Sequence, residues 1–154
     1  MKKVIPILEF VVLSFVVGYL SRLLQSSSME TWYPDLYKSS LTPPGYIFSL
    51  VWGVLYLLMG ISAGLVWSMR TLYSWLLTIL FVVQLIINLA WSFTFFWMKS
   101  PVAGLVVLVL LFVCVVLYVV GCYKQSRAAA LMNIPYVVWL LYAMFLNSYI
   151  VMNN

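Results

Sequence analysis

Val102-Ala-Gly-Leu-Val-Val-Leu-Val-Leu-Leu-Phe-Val-Cys-Val-Val-Leu-Tyr-Val-Val120 is a stretch of nineteen residues without a charge, an amide or a proline. As a helix rising 1.5 Å per residue it spans about 28 Å, close to the roughly 30 Å hydrocarbon core of a bilayer. It is apolar on every side, whereas the strands of a membrane barrel alternate with a period of two. The other apolar stretches have comparable length, so the spans run Val4–Leu24, Gly45–Met69, Leu72–Met98, Val102–Tyr123 and Ala128–Met152. Across 154 residues, 66% are hydrophobic and 7% charged, more apolar surface than a soluble domain of this size can bury. The connections after the second, third and fourth spans hold only a few residues, which makes consecutive helices antiparallel neighbours. The sequence therefore predicts an all-α membrane protein: one domain over residues 1–154, a five-transmembrane-helix bundle in a lipid bilayer, with a lid-like loop at 25–44.

Met1-Lys2-Lys3 and the apolar run behind it resemble a secretory signal, but the run is too long for an h-region, Glu9 interrupts it and no small-x-small cleavage pattern follows. A retained first helix is expected. The net charge of +5 does not point to nucleic acid, because the basic residues stand singly at helix ends rather than on one face. Lys2, Lys3, Arg70, Lys124 and Arg127 fall on one side of the membrane and Arg22, Lys38 and Lys99 on the other, which favours a cytoplasmic N-terminus. Cys114 and Cys122, eight residues apart on one helix and about 12 Å along its axis, cannot pair with each other.

The chain has no histidine, which removes the commonest general base, the Ser-His and Cys-His nucleophile pairs and histidine-ligated metal. Its three carboxylates, Glu9, Glu30 and Asp35, have no partner at acid–base or metal-ligand spacing, so no metal site and no catalytic residue is assigned, and a conventional enzyme is not expected. What remains is aromatic and amide chemistry. Trp67, Trp75, Trp97 and Tyr123 lie near helix ends and read as an interfacial girdle. Gln84, Asn88 and Trp91, at i, i+4 and i+7, form one stripe of the third helix that must face inward. Trp52 and Tyr56 do the same on the second helix, and Trp139, Tyr142, Ala143 and Asn147 share a face of the fifth. Each amide alone is as well explained by a hydrogen bond across helices, worth about 1 kcal/mol or less. Together, large amphipathic rings with a few hydrogen-bonding groups make a pocket for an apolar, planar ligand.

The loop from Gln25 to Pro44 carries Trp32, Tyr33, Pro34, Asp35, Tyr37, Lys38 and Thr42-Pro43-Pro44. Its prolines stiffen the approach to the second helix, and Trp32 and Tyr33 are placed to cap the bundle. Pro135 should bend the fifth helix beside Tyr136 and Trp139. Gly60-Ile-Ser-Ala-Gly64 is a GxxxG pattern that permits close helix approach, by default within the bundle, otherwise between two chains.

In this order the residues resemble the translocator protein family, also called tryptophan-rich sensory proteins or peripheral-type benzodiazepine receptors. The stretches that carry the resemblance are Trp32-Tyr33 with Leu36, Lys38 and Thr42-Pro43-Pro44; Val51-Trp52-Gly53 with Leu55-Tyr56 and Met59-Gly60; Gln84, Asn88, Trp91 and Phe95-Phe96; and Pro135-Tyr136, Trp139, Ala143 and Leu146-Asn147. The resemblance covers nearly the whole chain and implies a bacterial member with a five-helix fold, usually a homodimer. It implies no required cofactor. It also implies a cavity for hydrophobic planar small molecules: porphyrins and haem precursors, benzodiazepine-like and isoquinoline carboxamide-like compounds. Carried over position by position, Tyr33, Trp52, Asn88, Trp91, Trp139, Ala143 and Asn147 bind the ligand. In members that degrade porphyrins in light, Trp52 and Trp139 would matter. Lys38 is followed by Ser39-Ser40-Leu41 where many members have Pro and then Ser-Trp, and Gly104-Leu105-Val106-Val107 lacks the acidic residue often found there. No basic residue follows Tyr149, which argues against the family's sterol-recognition pattern.

The expected function is that of a membrane receptor or sensor binding tetrapyrroles, with porphyrin transport or light-dependent degradation as extensions. The rival is a small proton-coupled exporter of lipophilic cations, in which Glu9 would carry the proton.

Overall fold

A computed structural model describes residues 4–154. All five expected spans form as helices long and apolar enough to cross a membrane. In chain order the elements are α1 (Val4–Thr31), a 3-10 turn at Tyr33–Asp35, α2 (Gly45–Trp67), α3 (Leu72–Ser92) continued by a π turn at Phe93–Trp97, α4 (Pro101–Gln125), the short α5 (Arg127–Leu131) and α6 (Ile134–Asn153). Helix α1 packs against α2 and α3, and α4 packs between α3 and α6. Lys2 and Lys3, assigned to one side of the membrane, lie outside the described residues.

Helix boundaries follow local chemistry. Thr71 and Ser74 open α3 with reciprocal side-chain bonds to each other's amides, both 3.0 Å. Ser100 caps α4 ahead of Pro101, and Ser126 caps α5. Pro44 occupies the cap position of α2, where its missing N–H costs nothing, and its carbonyl accepts from Ile47 and Phe48. Arg70 and Lys99, just past helix ends, adopt left-handed φ angles of 53° and 52°. Glycine would be the easier choice there, but a basic residue beyond a helix C-terminus complements the exposed carbonyls.

Three elements depart from the sequence reading. The first helix does not stop at Leu24 but runs to Thr31, so the expected loop at 25–44 begins as helix. The serine-rich stretch stays helical because its polar groups find partners: Thr31 bonds back to the Ser27 carbonyl (2.8 Å), Ser28 donates to the Phe96 carbonyl (2.6 Å) and Gln25 donates to the Ser92 hydroxyl (2.9 Å). At 28 residues, about 42 Å, α1 overreaches the bilayer core, and these polar turns form the overhang. Pro135 breaks the fifth span rather than bending it: α5 ends, Met132 and Asn133 turn, and α6 starts with Pro135 in its first turn. The buried Asn133 amide bridges the break, donating to the Ser62 hydroxyl (2.8 Å) and the Ala129 carbonyl (2.9 Å). The third span ends in a π turn, closed by Met98 N–H to the Phe93 carbonyl (2.9 Å), which swings Phe95 and Phe96 into the core.

The GxxxG pair acts within the chain. A Cβ on Gly60 would stand 2.5 Å from the Val11 Cα, and one on Gly64 2.4 Å from the Ile7 Cα, so α1 and α2 touch backbone to backbone at that end. The buried residues of α1 are Ser14, Ser21 and Ser28, at seven-residue spacing, a small-residue seam against the bundle. Phe10 and Val17 also pack on the core, but most of its large side chains face outward, and Trp67, Trp75, Trp97 and Tyr123 are exposed as a girdle requires.

Replacing Gly64 with Leu should therefore destabilise the folded protein by about 3 kcal/mol or more, because the helices must separate. A Cβ added at Gly53 would meet nothing within 4 Å, so Gly53→Ala should be neutral or stabilising by up to about 1 kcal/mol. Thermal unfolding of both variants in one detergent compares them; equal melting temperatures would mean the close approach does not hold the bundle together.

Candidate functional site

The inward stripe of α3 forms as expected. Gln84, Asn88 and Trp91 are all buried, at 0%, 1% and 4% exposure, in the middle of an apolar bundle. Asn88 is held by two phenols: Tyr56 of α2 donates to its Oδ1 (3.0 Å), and its Nδ2 donates to the Tyr136 oxygen of α6 (2.9 Å). Three helices are thus tied through one amide. Neither amide atom of Gln84 has a protein partner, nor does the Trp91 indole N–H. A buried polar group left in this state costs about 1 to 3 kcal/mol, so these are places where a further partner has most to offer.

Around Asn88 the aromatic rings form a continuous ladder. Trp52 lies 5.4 Å from Tyr56, 6.0 Å from Tyr136 and, nearly parallel, 6.4 Å from Trp91; Trp91 stacks in turn on Phe95 at 5.7 Å. Toward the first loop, Phe95 and Phe96 receive Trp32 and Tyr33. The loop that presents those two rings is clipped shut. Lys38 donates to the carbonyls of Tyr33 (2.7 Å), Pro34 (2.9 Å) and Leu36 (3.2 Å), with its charge 4.9 Å from the Tyr33 ring centre. Tyr142 donates to the Leu41 carbonyl, and Asn154 forms a two-way bond with the backbone of Tyr37. Burial on this aromatic shelf, with Tyr142 nearby, raises the Tyr33 phenol above its ordinary pKa.

A cavity of about 580 Å³ opens beside the ladder. Helix α3 supplies its floor through Asn88, Trp91 and Ser92; α2 contributes Phe48, Trp52, Gly53 and Tyr56; α1 contributes Gly18, Ser21, Arg22 and Gln25. Residues 31–44 take no part in its lining. Another hollow, about 530 Å³, lies at the α2–α3 turn among the girdle residues Trp67 and Trp75 with Arg70, and gathers none of the inward stripes.

Of the seven residues expected to bind ligand, the cavity brings together Trp52, Asn88 and Trp91. The other four lie elsewhere. Tyr33 sits on Phe95 and Phe96 at the loop end. Trp139 is one ring behind the wall, 5.3 Å from Phe48, with its indole N–H buried and unpartnered. Ala143 is buried in the core. Asn147 clasps the first turn of α4: with its amide oriented to satisfy both neighbours, it donates to the Pro101 carbonyl and accepts from the Leu105 N–H, each at 3.0 Å. Gly104 leaves room for that clasp, since a Cβ there would meet Phe95 at 2.9 Å and the Asn147 amide at 3.3 Å. Lining residues that the sequence reading did not place in the site include Phe48, Ser21 and Arg22. The seven-residue spacing of Ser14, Ser21 and Ser28 is the signal that marks the inner face of α1.

The chain matches the TspO/MBR family over residues 10–152. It belongs to that family. Among its relatives, the tryptophan-rich protein TspO of Chlorobaculum tepidum is 32% identical over 99% of this chain and 98% of its own length. That of Archaeoglobus fulgidus is 34% identical over 90% of each chain. The translocator protein of Sus scrofa is 31% identical over 93% of this chain and 86% of its own. The resemblance drawn from the four motif blocks is thus confirmed at the level of family, and with it a multi-pass membrane protein.

If Asn88 is the knot joining α2, α3 and α6, Asn88→Leu should lower stability by about 1 to 2 kcal/mol by orphaning two phenols. Adding Tyr136→Phe to that variant should then cost less than the same change in the wild type. A double-mutant cycle by thermal unfolding measures the coupling, and simple additivity would show that the amide and phenol act independently.

Proposed function

We propose that the protein is a membrane receptor or sensor for flat, hydrophobic ligands, tetrapyrroles foremost, which bind in the aromatic cavity between α1, α2 and α3. Benzodiazepine-like and isoquinoline carboxamide-like compounds share the needed shape and belong to the same reading. One observation supports it above the rest: the cavity joins a wall of large rings, Phe48, Trp52, Tyr56 and Trp91, to the hydrogen-bonding side chains of Ser21, Gln25, Asn88 and Ser92. Rings supply contact area and the donors supply orientation, which is how small-molecule sites reconcile affinity with selectivity. At about 580 Å³ the space falls within the range of such sites, roughly 300 to 1,000 Å³.

The alternatives are less well served. Glu9, the carboxylate a proton-coupled exporter would use, is exposed on the other half of α1 and does not line the cavity. Light-dependent porphyrin degradation at Trp52 and Trp139 would have to act across Phe48, which stands between Trp139 and the cavity. The proposal carries with it the homodimer that family resemblance implies. It also carries a cytoplasmic N-terminus, argued from Arg70, Lys124 and Arg127 at one end of the bundle against Arg22, Lys38 and Lys99 at the other.

Titration of protoporphyrin IX into the purified protein should give saturable quenching of tryptophan fluorescence. Trp52→Phe and Trp91→Phe should each reduce the quenching more than Trp67→Phe, with Trp139→Phe between them. Equal losses from all four would indicate partition into detergent or lipid and remove the case for a defined site.

A further inference from the structure

The hollow of about 530 Å³ at the α2–α3 turn is separate from the aromatic cavity and has a chemistry of its own. Its walls are Trp67 at the end of α2 and Trp75 in the first turn of α3, both exposed, with Arg70, Thr71 and Leu72 between them and Ser74 buried behind. Phe10 of α1 backs the Trp67 ring at 6.0 Å. What these side chains leave open to the hollow is a set of donors. A guanidinium and an indole carry no acceptor at all. The Ser74 hydroxyl is closed into the helix cap, donating to the Thr71 carbonyl (2.8 Å) and accepting from the Thr71 N–H (3.0 Å). The Thr71 oxygen accepts from the Ser74 N–H (3.0 Å), which leaves its O–H to donate. Among the described residues no carboxylate lines the hollow. Donors gathered around one permanent positive charge fit an anion, and the planar fork of Arg70 fits the paired oxygens of a phosphate.

Two further features say which anion. The hollow lies at the level of the Trp67 and Trp75 girdle, where the surrounding molecules are phospholipids. From it a strip of exposed apolar side chains, Leu72, Leu76, Ile79 and Val83, runs down the outer face of α3 at helical spacing. A free phosphate ion gains nothing from that strip, whereas acyl chains lie along it. The same end of the bundle carries Lys124 and Arg127, the guanidinium of the latter 5.5 Å over the Tyr123 ring. A headgroup that brings a positive charge of its own is therefore disfavoured against one that brings none. Independently of the receptor reading, we propose that the α2–α3 turn binds an anionic phospholipid of the adjoining leaflet. Arg70 and the Thr71 hydroxyl hold its phosphate between the two indoles, and its chains follow Leu72, Leu76 and Ile79. Such a lipid fastens the turn at the interface and fixes the depth of the third span.

The test is native mass spectrometry of the full-length protein in detergent, titrated with phosphatidylglycerol or with phosphatidylcholine of the same chains. The wild type should hold its first phosphatidylglycerol about fivefold more tightly than its first phosphatidylcholine. Arg70→Gly suits the left-handed backbone at φ 53° and should abolish that preference, and Arg70→Gln gives the same reading if the glycine variant does not fold. Lys99→Gly is the matched control: Lys99 has φ 52° at the opposite end of the third span, and its loss should leave the preference unchanged. Excess glycerol 3-phosphate should not displace the lipid. Equal affinity of the wild type for both lipids would overturn the proposal. Equal losses from Arg70→Gly and Lys99→Gly would overturn it as well, since they would reduce the effect to general attraction between charges. Displacement by glycerol 3-phosphate would make this a site for a soluble anion and overturn the lipid assignment. None of these outcomes changes the quenching expected of protoporphyrin IX, so the receptor reading fails or holds separately.

Discussion

The contact of Gly60 and Gly64 with the backbone of Val11 and Ile7 brings α1 and α2 as close together as two helices can pack at the end away from the loop. In lipid no hydrophobic force draws two apolar helices together, so close approach depends on dispersion at short range and on having nothing in the way. Two missing side chains allow that approach at one end of α1 and α2. Further along, the Tyr56 ring fills the notch at Gly18, 2.6 Å from where a Cβ would stand, while a Cβ on Gly53 or Gly45 would meet nothing within 4 Å. The cavity lies along the loop-side turns of α1 and α2, between Phe15 and Glu30 of the one and Gly45 and Tyr56 of the other.

The second constraint is the satisfaction of polar groups inside an apolar solvent. Asn88 commits its oxygen and one N–H to Tyr56 and Tyr136, Asn147 repairs the first turn of α4, and Asn133 closes the break that Pro135 imposes. These three amides serve architecture first. What the bundle leaves unsatisfied is equally informative: Gln84, Trp91, Trp139 and the Asn133 oxygen carry buried polar atoms without protein partners, and of these residues Trp91 lines the cavity.

Membership of the TspO/MBR family and the cavity support each other without being the same statement. Family identity follows from the match over nearly the full chain, while the site rests on how α1, α2 and α3 diverge here. Trp139 is one ring from the cavity, behind Phe48, whereas Tyr33 is two rings away, behind Phe95 and Trp91, so a rotation of Phe48 would extend the site toward Trp139. Aromatic side chains turning about two dihedrals are well suited to that adjustment, and the ladder from Tyr56 to Phe95 gives each ring a neighbour on which to rest.

Much of this protein was legible in the residues alone. Length and apolarity defined five spans, because the bilayer demands about twenty apolar residues and a fully bonded backbone whatever the rest of the fold does. The inward stripes of α2 and α3 were equally readable, since a buried amide or indole in lipid cannot face outward cheaply. The ends of helices were less so: α1 passes Leu24 because Gln25 and Ser28 bond to Ser92 and Phe96, residues far away in the chain. The break at Pro135 depends likewise on Ser62 of another helix. Which of the inward residues share a cavity could not be read from any one helix. Periodicity places a residue on a face, but whether two faces touch or leave a cavity between them is decided by how whole helices cross, which no single helix records.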